Sequence, residues 1–402
     1  MRIGVYGGTF NPPHLGHLTA ARAVIEMLKL DKLLLVPDGI PPHKDLPDGS
    51  PAPAQRLELT RLAGEQLALG DRVETLDIEL RREGKSYTAD TLAQVRSLYP
   101  EAELWLLVGA DMFLTLQHWY QPERILSLAG IAAFGRTEAD TEELFAVQRE
   151  YLYRTYPQAR LFTLTVPGVV DISSTTLRGL LGKGEGGAYL PPAVYGYILR
   201  EGLYGVQADL KNLPLAQLRA AAMSLLRRKR IPHVLGTEQE AIRLALRYGA
   251  DVEKARRAAL LHDCTKRLGA EEQLALCEKY GLPLDGLERT SPKLLHAKTG
   301  AALARELFGI DDEIYTAIYW HTTGHENMTL LEKVIYLADY IEPTRDFPGV
   351  EKLRRACYED LDRGLLMGIE MTVRDTESRG IEVHAASLRL RDQLKGNRDT
   401  NA

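Results

Sequence analysis

The sequence predicts an α/β domain built on a doubly wound parallel sheet, followed by an all-α domain. Three observations carry this. The chain has 402 residues, more than one hydrophobic core usually organises. Over residues 1–205, apolar runs of strand length alternate with stretches of helical period, as in a parallel sheet covered on both faces. Beyond residue 205 the strand pattern stops, and Ala- and Leu-rich helical stretches follow, broken at Gly249, Gly269, Gly281 and Gly309. The expected domains are 1–205 and 206–402, with the linker over 206–214.

Composition narrows the function classes. With 45% hydrophobic and 26% charged residues, the chain reads as a soluble globular protein. A formal charge of −5 and a pI near 6.1 argue against broad electrostatic binding to nucleic acid, and the basic run at 227–230 reads as a solvated helix face in preference to a set of phosphate contacts. Cys264, Cys277 and Cys357 form no close pair, which excludes a disulfide framework and a thiolate zinc site. No apolar run approaches the roughly eighteen residues a membrane helix needs, and Met1-Arg2 leads into a strand instead of a signal peptide. A cytoplasmic protein with no membrane partner is expected, and a homo-oligomer is compatible with the sequence.

In the first half the expected strands are 3–6, 33–36, 73–78, 104–108, 131–134 and 161–166. Helices are expected around 17–29, 54–69, 88–98, 112–128 and 140–155. The first strand runs into Gly7-Gly8-Thr9-Phe10-Asn11-Pro12-Pro13-His14-Leu15-Gly16-His17. Gly7 and Gly8 permit close approach of backbone to a ligand, and the helix starting near Gly16 aims free N–H groups at it. His14 and His17 can donate hydrogen bonds to a phosphate becoming five-coordinate, which is electrostatic catalysis without a covalent intermediate. After the second strand, Lys44 in a proline-rich loop is either a mobile charge reaching triphosphate or a solvated lysine. Arg56, at the start of the next helix, reads as structural.

Ser86-Tyr87-Thr88 offers a hydroxyl cap and exposed N–H groups before a helix. Gly109 and Asp111 follow the fourth strand, where a carboxylate suits a ribose hydroxyl or a metal, and Trp119 is either a pyridine-stacking platform or a core residue. Arg136 follows the fifth strand. Residues 171–178 make a second phosphate cradle, with Ser173 and Ser174 capping a helix and Arg178 in its first turns.

These segments resemble the nucleotidyltransferase superfamily, and the string from Gly7 to His17 resembles nicotinate-nucleotide adenylyltransferase in particular. The resemblance implies adenylyl transfer from MgATP to nicotinate mononucleotide. It places ATP at Gly7, Gly8, Thr9, Phe10, His14, His17, Gly109, Asp111, Ser173, Ser174 and Arg178. It places nicotinate mononucleotide at Ser86, Tyr87, Thr88, Trp119 and Arg136, with Lys44 assisting catalysis. The segment 189–204 resembles the same enzyme's C-terminal helix. A different acceptor, such as phosphopantetheine, is the rival reading.

In the second half, Asp339 shares an apolar helix face with Ile335 and Leu331, His321 follows Ile314, Ala317 and Ile318, and His262 follows Ala255 and Ala259. Inward carboxylates are costly unless paired or metal-bound. The pattern His233, His262-Asp263, His296, His321 and Asp339 resembles the HD-domain metal phosphohydrolases. The segments around His296, His321 and Asp339 resemble the bacterial YqeK-type branch, which splits diadenosine tetraphosphate into two ADP. That resemblance implies one or two transition-metal ions (Fe, Mn, Co, Ni or Zn). His233, His262, Asp263 and Asp339 would be ligands, His296 and His321 would hold a second metal or substrate phosphate, and Lys266 would contact phosphate. A nucleotide sensor without turnover is the rival. His325 reads as lying outside the metal site. Residues from 352 onward read as charged amphipathic helices covering the core, and 397–402 as a disordered tail.

Overall fold

The computed structural model describes residues 1–41, 46–135, 141–166 and 172–399. They divide into two compact units, Met1–Ala208 and Asp209–Ala402.

The first unit holds six parallel strands: β1 (Arg2–Gly8), β2 (Lys32–Pro37), β3 (Val73–Thr75), β4 (Glu103–Gly109), β5 (Gly130–Gly135) and β6 (Leu161–Thr165). Their order is β3-β2-β1-β4-β5-β6, and Val5 of β1 stands opposite Leu34 of β2 and Leu106 of β4. Eight helices cover the sheet: α1 (Leu15–Met27), α2 (Pro53–Gln66), α3 (Thr88–Leu98), α4 (Ala110–Leu114), α5 (Pro122–Leu128), α6 (Thr141–Thr155), α7 (Ser174–Leu181) and α8 (Pro192–Glu201). Ile3, Val5, Leu34 and Leu106 pack with Leu92 of α3 and Phe145 of α6 on one face. Leu33, Leu35, Leu107 and Phe134 pack with Ala21 and Val24 of α1 on the other. Burial on both faces is why these strands read as continuous apolar runs. The order reverses between β1 and β4, so the loops after them diverge and open a crevice at their carboxyl ends.

Two expectations change. The third strand stops at Thr75 instead of residue 78, since β3 is an edge strand with one sheet partner. The single helix expected over 112–128 is broken into α4, a 3-10 turn at Leu116–His118, and α5. Pro122 cannot sit in a helix interior, because its ring meets the carbonyl of the fourth residue back. The chain therefore restarts there, with Gln121 at φ 54° and Trp119 extended.

The second unit is helical: α9 (Leu215–Ser224), α10 (Ile231–Tyr248), α11 (Val252–Leu261), α12 (Ala270–Lys279), α13 (Gly286–Thr290), α14 (Leu295–Phe308), α15 (Asp312–Trp320), α16 (Leu330–Ile341), α17 (Val350–Glu359), α18 (Leu361–Ser378) and α19 (Ala385–Asp399). Helix α10 packs on α11 and α16, and α15 on α14 and α16, so their inward faces converge. The expected linker contains an ordered turn, Leu210–Asn212, capped by Asp209. Asn397 belongs to α19 and not to a disordered tail, and Ser387 of α19 donates to the Thr323 carbonyl at 2.7 Å. The three cysteines are free and buried, and among the described residues no helix is long and apolar enough to cross a membrane.

Candidate functional site

In the first unit a cavity of about 290 Å³ opens at the carboxyl ends of β1 and β4, lined by Gly7, Gly8, Thr9, Ser86, Thr88, Gly109, Asp111 and Trp119 among others. Gly39 makes room beside it: a Cβ there would stand 2.4 Å from the Glu79 carbonyl oxygen. Trp119 both lines the cavity and packs on the core.

The histidine loop is fixed from within. His14 is the N-cap of α1, and its N–H donates to His17 Nδ1 at 3.2 Å. With Nδ1 accepting, the proton of a neutral His17 ring sits on Nε2, where it can be donated. The two rings lie 3.8 Å apart. Phe10 is buried, edge-on to Tyr6 and His17, and supports the loop from below instead of lining the cavity. The second cradle docks on this loop directly. Ser173 caps α7 by accepting from the Thr176 N–H at 3.0 Å, Ser174 donates to the Pro12 carbonyl at 3.2 Å, and Arg178 donates to the Asn11 carbonyl at 2.8 Å. Arg56, fully buried, donates to the carbonyls of Thr9, Asp38 and Gly39, which ties the loops after β1 and β2 together.

Tyr87 does not line the cavity. Its ring lies against Tyr120, tilted at 37° with centroids 4.4 Å apart, because the extended N-cap of α3 turns it toward the break before Pro122. Lys44 and Arg136 lie outside the described residues. Sequence reasoning missed Glu79, a cavity-lining carboxyl only 4% exposed that accepts from Thr91 Oγ1 at 2.5 Å. Burial and the nearby Asp38 push its pKa up to about 7 against the pull of Thr91 and Ser86. An acid between Ile78 and Leu80, just before the Ser86 segment, was the available signal.

In the second unit the singled-out polar residues meet at one point. His233 comes from the first turn of α10, His262 and Asp263 from the end of α11, His296 from the start of α14, His321 from the end of α15 and Asp339 from α16. Asp263 stands between two groups. Its Oδ2 is 3.5 Å from His262 Nε2 and 3.7 Å from His233 Nε2, and its Oδ1 is 3.3 Å from His296 Nε2 and 3.8 Å from His321 Nε2. Asp339 Oδ1 completes the first group, 2.9 Å from His233 Nε2 and 3.8 Å from His262 Nε2.

All four rings are held by Nδ1. The acceptors are Glu342 Oε1 for His233 (3.1 Å), the Ala259 carbonyl for His262 (2.7 Å), the Lys293 carbonyl for His296 (2.6 Å) and the Ile318 carbonyl for His321 (2.6 Å). Such bonds put the proton on Nδ1 and aim the Nε2 lone pair at the common centre. His233 Nε2, His262 Nε2 and Asp263 Oδ1 are buried without an aligned hydrogen-bond partner. Buried polar atoms in that state are costly, and imidazole with carboxylate is the donor set of a transition metal, so these residues fit one. Burial opposes the charges on Asp263 and Asp339, but His262, His296 and Lys266 at the first and His233, His262 and Arg345 at the second overcome it and hold both carboxyls well below their usual range, and the two carboxylates in turn raise His262 against its own burial. Burial and the neighbouring His262 hold His321 down at about 4, and burial with Lys266 keeps His296 neutral.

Lys266 Nζ lies 2.7 Å from His296 Nε2. His325 lies apart from this cage, paired with Glu332 at 3.0 Å and tilted over Trp320. The sequence reading missed Glu342, fully buried behind His233 and three residues beyond Asp339, and the arginines Arg230 and Arg345. Gly236 admits Glu342, since a Cβ there would stand 2.4 Å from Glu342 Oε2.

A family model described as cytidylyltransferase-like matches residues 5–180, and one for the HD domain matches residues 230–344. Over 216 residues the chain is 40% identical to a probable nicotinate-nucleotide adenylyltransferase of Shewanella sp. (strain MR-7), covering 51% of this chain and 99% of that protein. A probable nicotinate-nucleotide adenylyltransferase of Desulfatibacillum aliphaticivorans is 37% identical over 222 residues, covering 51% and 100%. Among solved structures, a predicted HD superfamily hydrolase involved in NAD metabolism from Clostridium acetobutylicum is 40% identical, with a TM-score of 0.45, covering 46% of this chain and 98% of that one.

Proposed function

The chain belongs to the nicotinate-nucleotide adenylyltransferase family through its first half and carries an HD domain in its second, and on that premise we propose a bifunctional enzyme. The first half transfers adenylyl from MgATP to nicotinate mononucleotide. A phosphate oxygen of the mononucleotide bonds to the α-phosphorus of ATP, the bond from that phosphorus to the β-phosphate oxygen breaks, and pyrophosphate leaves with deamido-NAD as product. The observation that supports this most is the His14–His17 pair, in which the His14 N–H donates to His17 Nδ1, so that a neutral His17 ring carries its proton on Nε2, the atom that would donate to charge developing on the phosphate. Ser86, Thr88 and Trp119 at the cavity suit a pyridine nucleotide as acceptor. An acceptor panel tests the reading: rapid pyrophosphate release with phosphopantetheine, and none with nicotinate mononucleotide, would overturn it.

The second half, in this proposal, hydrolyses diadenosine tetraphosphate symmetrically. Water adds to an inner phosphorus, the central P–O–P bridge breaks, and two ADP and, with both fully ionised, two protons are released. His233, His262, Asp263 and Asp339 would hold one ion, and His296 and His321 with the other oxygen of Asp263 a second. An ion of the iron, manganese, cobalt, nickel or zinc class would supply Lewis acidity to a phosphoryl group and an attacking water. The chain's own part is to aim the Nε2 atoms and the ionised carboxylates at one buried centre. Metal analysis alongside product analysis on the purified chain tests this. Two ADP per substrate supports it, and a metal-loaded protein that binds the dinucleotide without turnover would make the half a sensor instead.

A further inference from the structure

The basic run at 227–230 turns one member inward. Arg230 Nε donates to Asp263 Oδ2, and its side chain keeps 28% of its surface exposed. Arg345 Nη2 donates to Asp339 Oδ1 at 2.8 Å with 31% exposed, and Lys266 Nζ meets His296 at 2.7 Å with 37% exposed. Three cations thus each grip a different residue of the cage while reaching water. They lie around one centre: Arg230 and Lys266 stand at the two oxygens of Asp263, the latter at 3.9 Å, and Arg345 holds Asp339 Oδ1, which is 2.9 Å from His233 Nε2. The opening lies on the Asp339 side: that carboxylate is 19% exposed, whereas Asp263 and His262 are at 0%.

Charge balance shows what such a group is for. Arg230, Lys266 and Arg345 offset the carboxylates Asp263, Asp339 and Glu342, three against three. Each divalent ion entering the cage adds two positive charges at an opening already rimmed by cations. With the two ions of the proposed function, a single phosphate of about two negative charges would offset half of that total, and a run of linked phosphates all of it. Guanidinium forks also match phosphate oxygens two at a time, which a stability role on one carboxylate oxygen does not require.

We propose that Arg230 and Arg345, joined by Lys266, form a phosphate-binding collar at the mouth of the cage that selects linked phosphates over a single phosphate. This rests on reading the second half as a dinucleoside polyphosphate hydrolase. The collar, and not the cage, sets the length of phosphate chain that is accepted.

The test uses the full chain loaded with manganese and titrated calorimetrically with imidotriphosphate, whose bridges resist hydrolysis, and with orthophosphate. Because the first half also holds phosphates, the cage-dependent site is defined as the binding lost in Asp263→Ala. That site should prefer imidotriphosphate by about a hundredfold or more. Arg230→Gln and Arg345→Gln should each weaken it about tenfold while keeping their manganese, and the Lys variants should recover part. An unchanged preference in both Gln variants overturns the collar, and so does loss of manganese together with binding, which would make the arginines mere supports of the ligands. The wild-type site must also weaken more than about tenfold between about 0.05 and about 0.5 M KCl, and a flat response overturns the collar without any variant. Wild type that releases ADP from diadenosine tetraphosphate beside unaffected variants sinks the collar alone. Fully loaded wild type with neither the cage-dependent site nor ADP release sinks the hydrolase reading with it.

Discussion

At His17 one backbone N–H decides which ring nitrogen can donate, because the His14 amide occupies Nδ1. Removing the ring in His17→Ala should cost about 3 kcal/mol of transition-state stabilisation, roughly a hundredfold in adenylyl transfer, with ATP affinity less affected. A near wild-type rate would refute the assignment. Trp119→Ala should weaken nicotinate mononucleotide by about 1–3 kcal/mol and leave ATP binding nearly unchanged in isothermal titration. Glu79 gives a pH-dependent prediction. Its folded pKa of about 7 lies above the ordinary 4.5, so the folded chain holds this proton more tightly than the unfolded one. Stability of the first half should therefore fall as pH rises from about 4.5 to about 7, by up to about 3 kcal/mol, and then level off. Glu79→Gln should flatten that slope and be the more stable protein at pH 8. Urea unfolding followed through Trp105 and Trp119, in a Trp320→Phe background, reads this directly. The histidines were legible because glycines, strand and helix start surround them in sequence. Glu79 was not, since nothing in a sequence says that its second carboxyl oxygen loses water.

Among the elements, the break between α4 and α5 and the turn after α11 do more for the sites than the regular helices around them. A helical period over 112–128 was real, but Pro122 forbids one continuous helix and the resulting bend delivers Trp119 to the cavity. Likewise His262 and Asp263 leave the end of α11, so they reach around a common centre from the cap and not from a helix face. Helix α10 is held near α16 by Gly236, where Glu342 comes within a Cβ's reach. Gly236→Ala should push Glu342 off His233 Nδ1 and lower metal affinity about ten- to hundredfold, the usual cost of losing a partner behind a ligand. Competition with a chromophoric chelator measures it, and unchanged affinity would show that Glu342 does not orient the ring. Periodicity located these helices. Which glycine admits which carboxylate depends on packing between α10 and α16, more than a hundred residues apart in the chain.

For the molecule as a whole, the order of the two halves could be read from where strand patterning ends, with the unit boundary falling at Ala208. Asp263→Ala tests their independence. It should lose most bound transition metal and the hydrolysis of diadenosine tetraphosphate, while deamido-NAD synthesis persists, because the cavity, the His14–His17 loop and the Ser173–Arg178 segment belong to Met1–Ala208. Circular dichroism must accompany the assays. A folded variant that loses adenylyl transfer as well would refute two separate sites. The tethering of all four imidazoles through Nδ1 has a consequence for cell physiology. Three of the four acceptors are main-chain carbonyls one turn upstream, so the rings are oriented by helix ends alone before any ion arrives. A socket so prepared gains little by discriminating among similar first-row ions, which differ in intrinsic affinity far more than in size. On the proposed reading, its occupant would then be set by the intrinsic affinity of each ion weighted by its free concentration in the surroundings, and not by the shape of the protein.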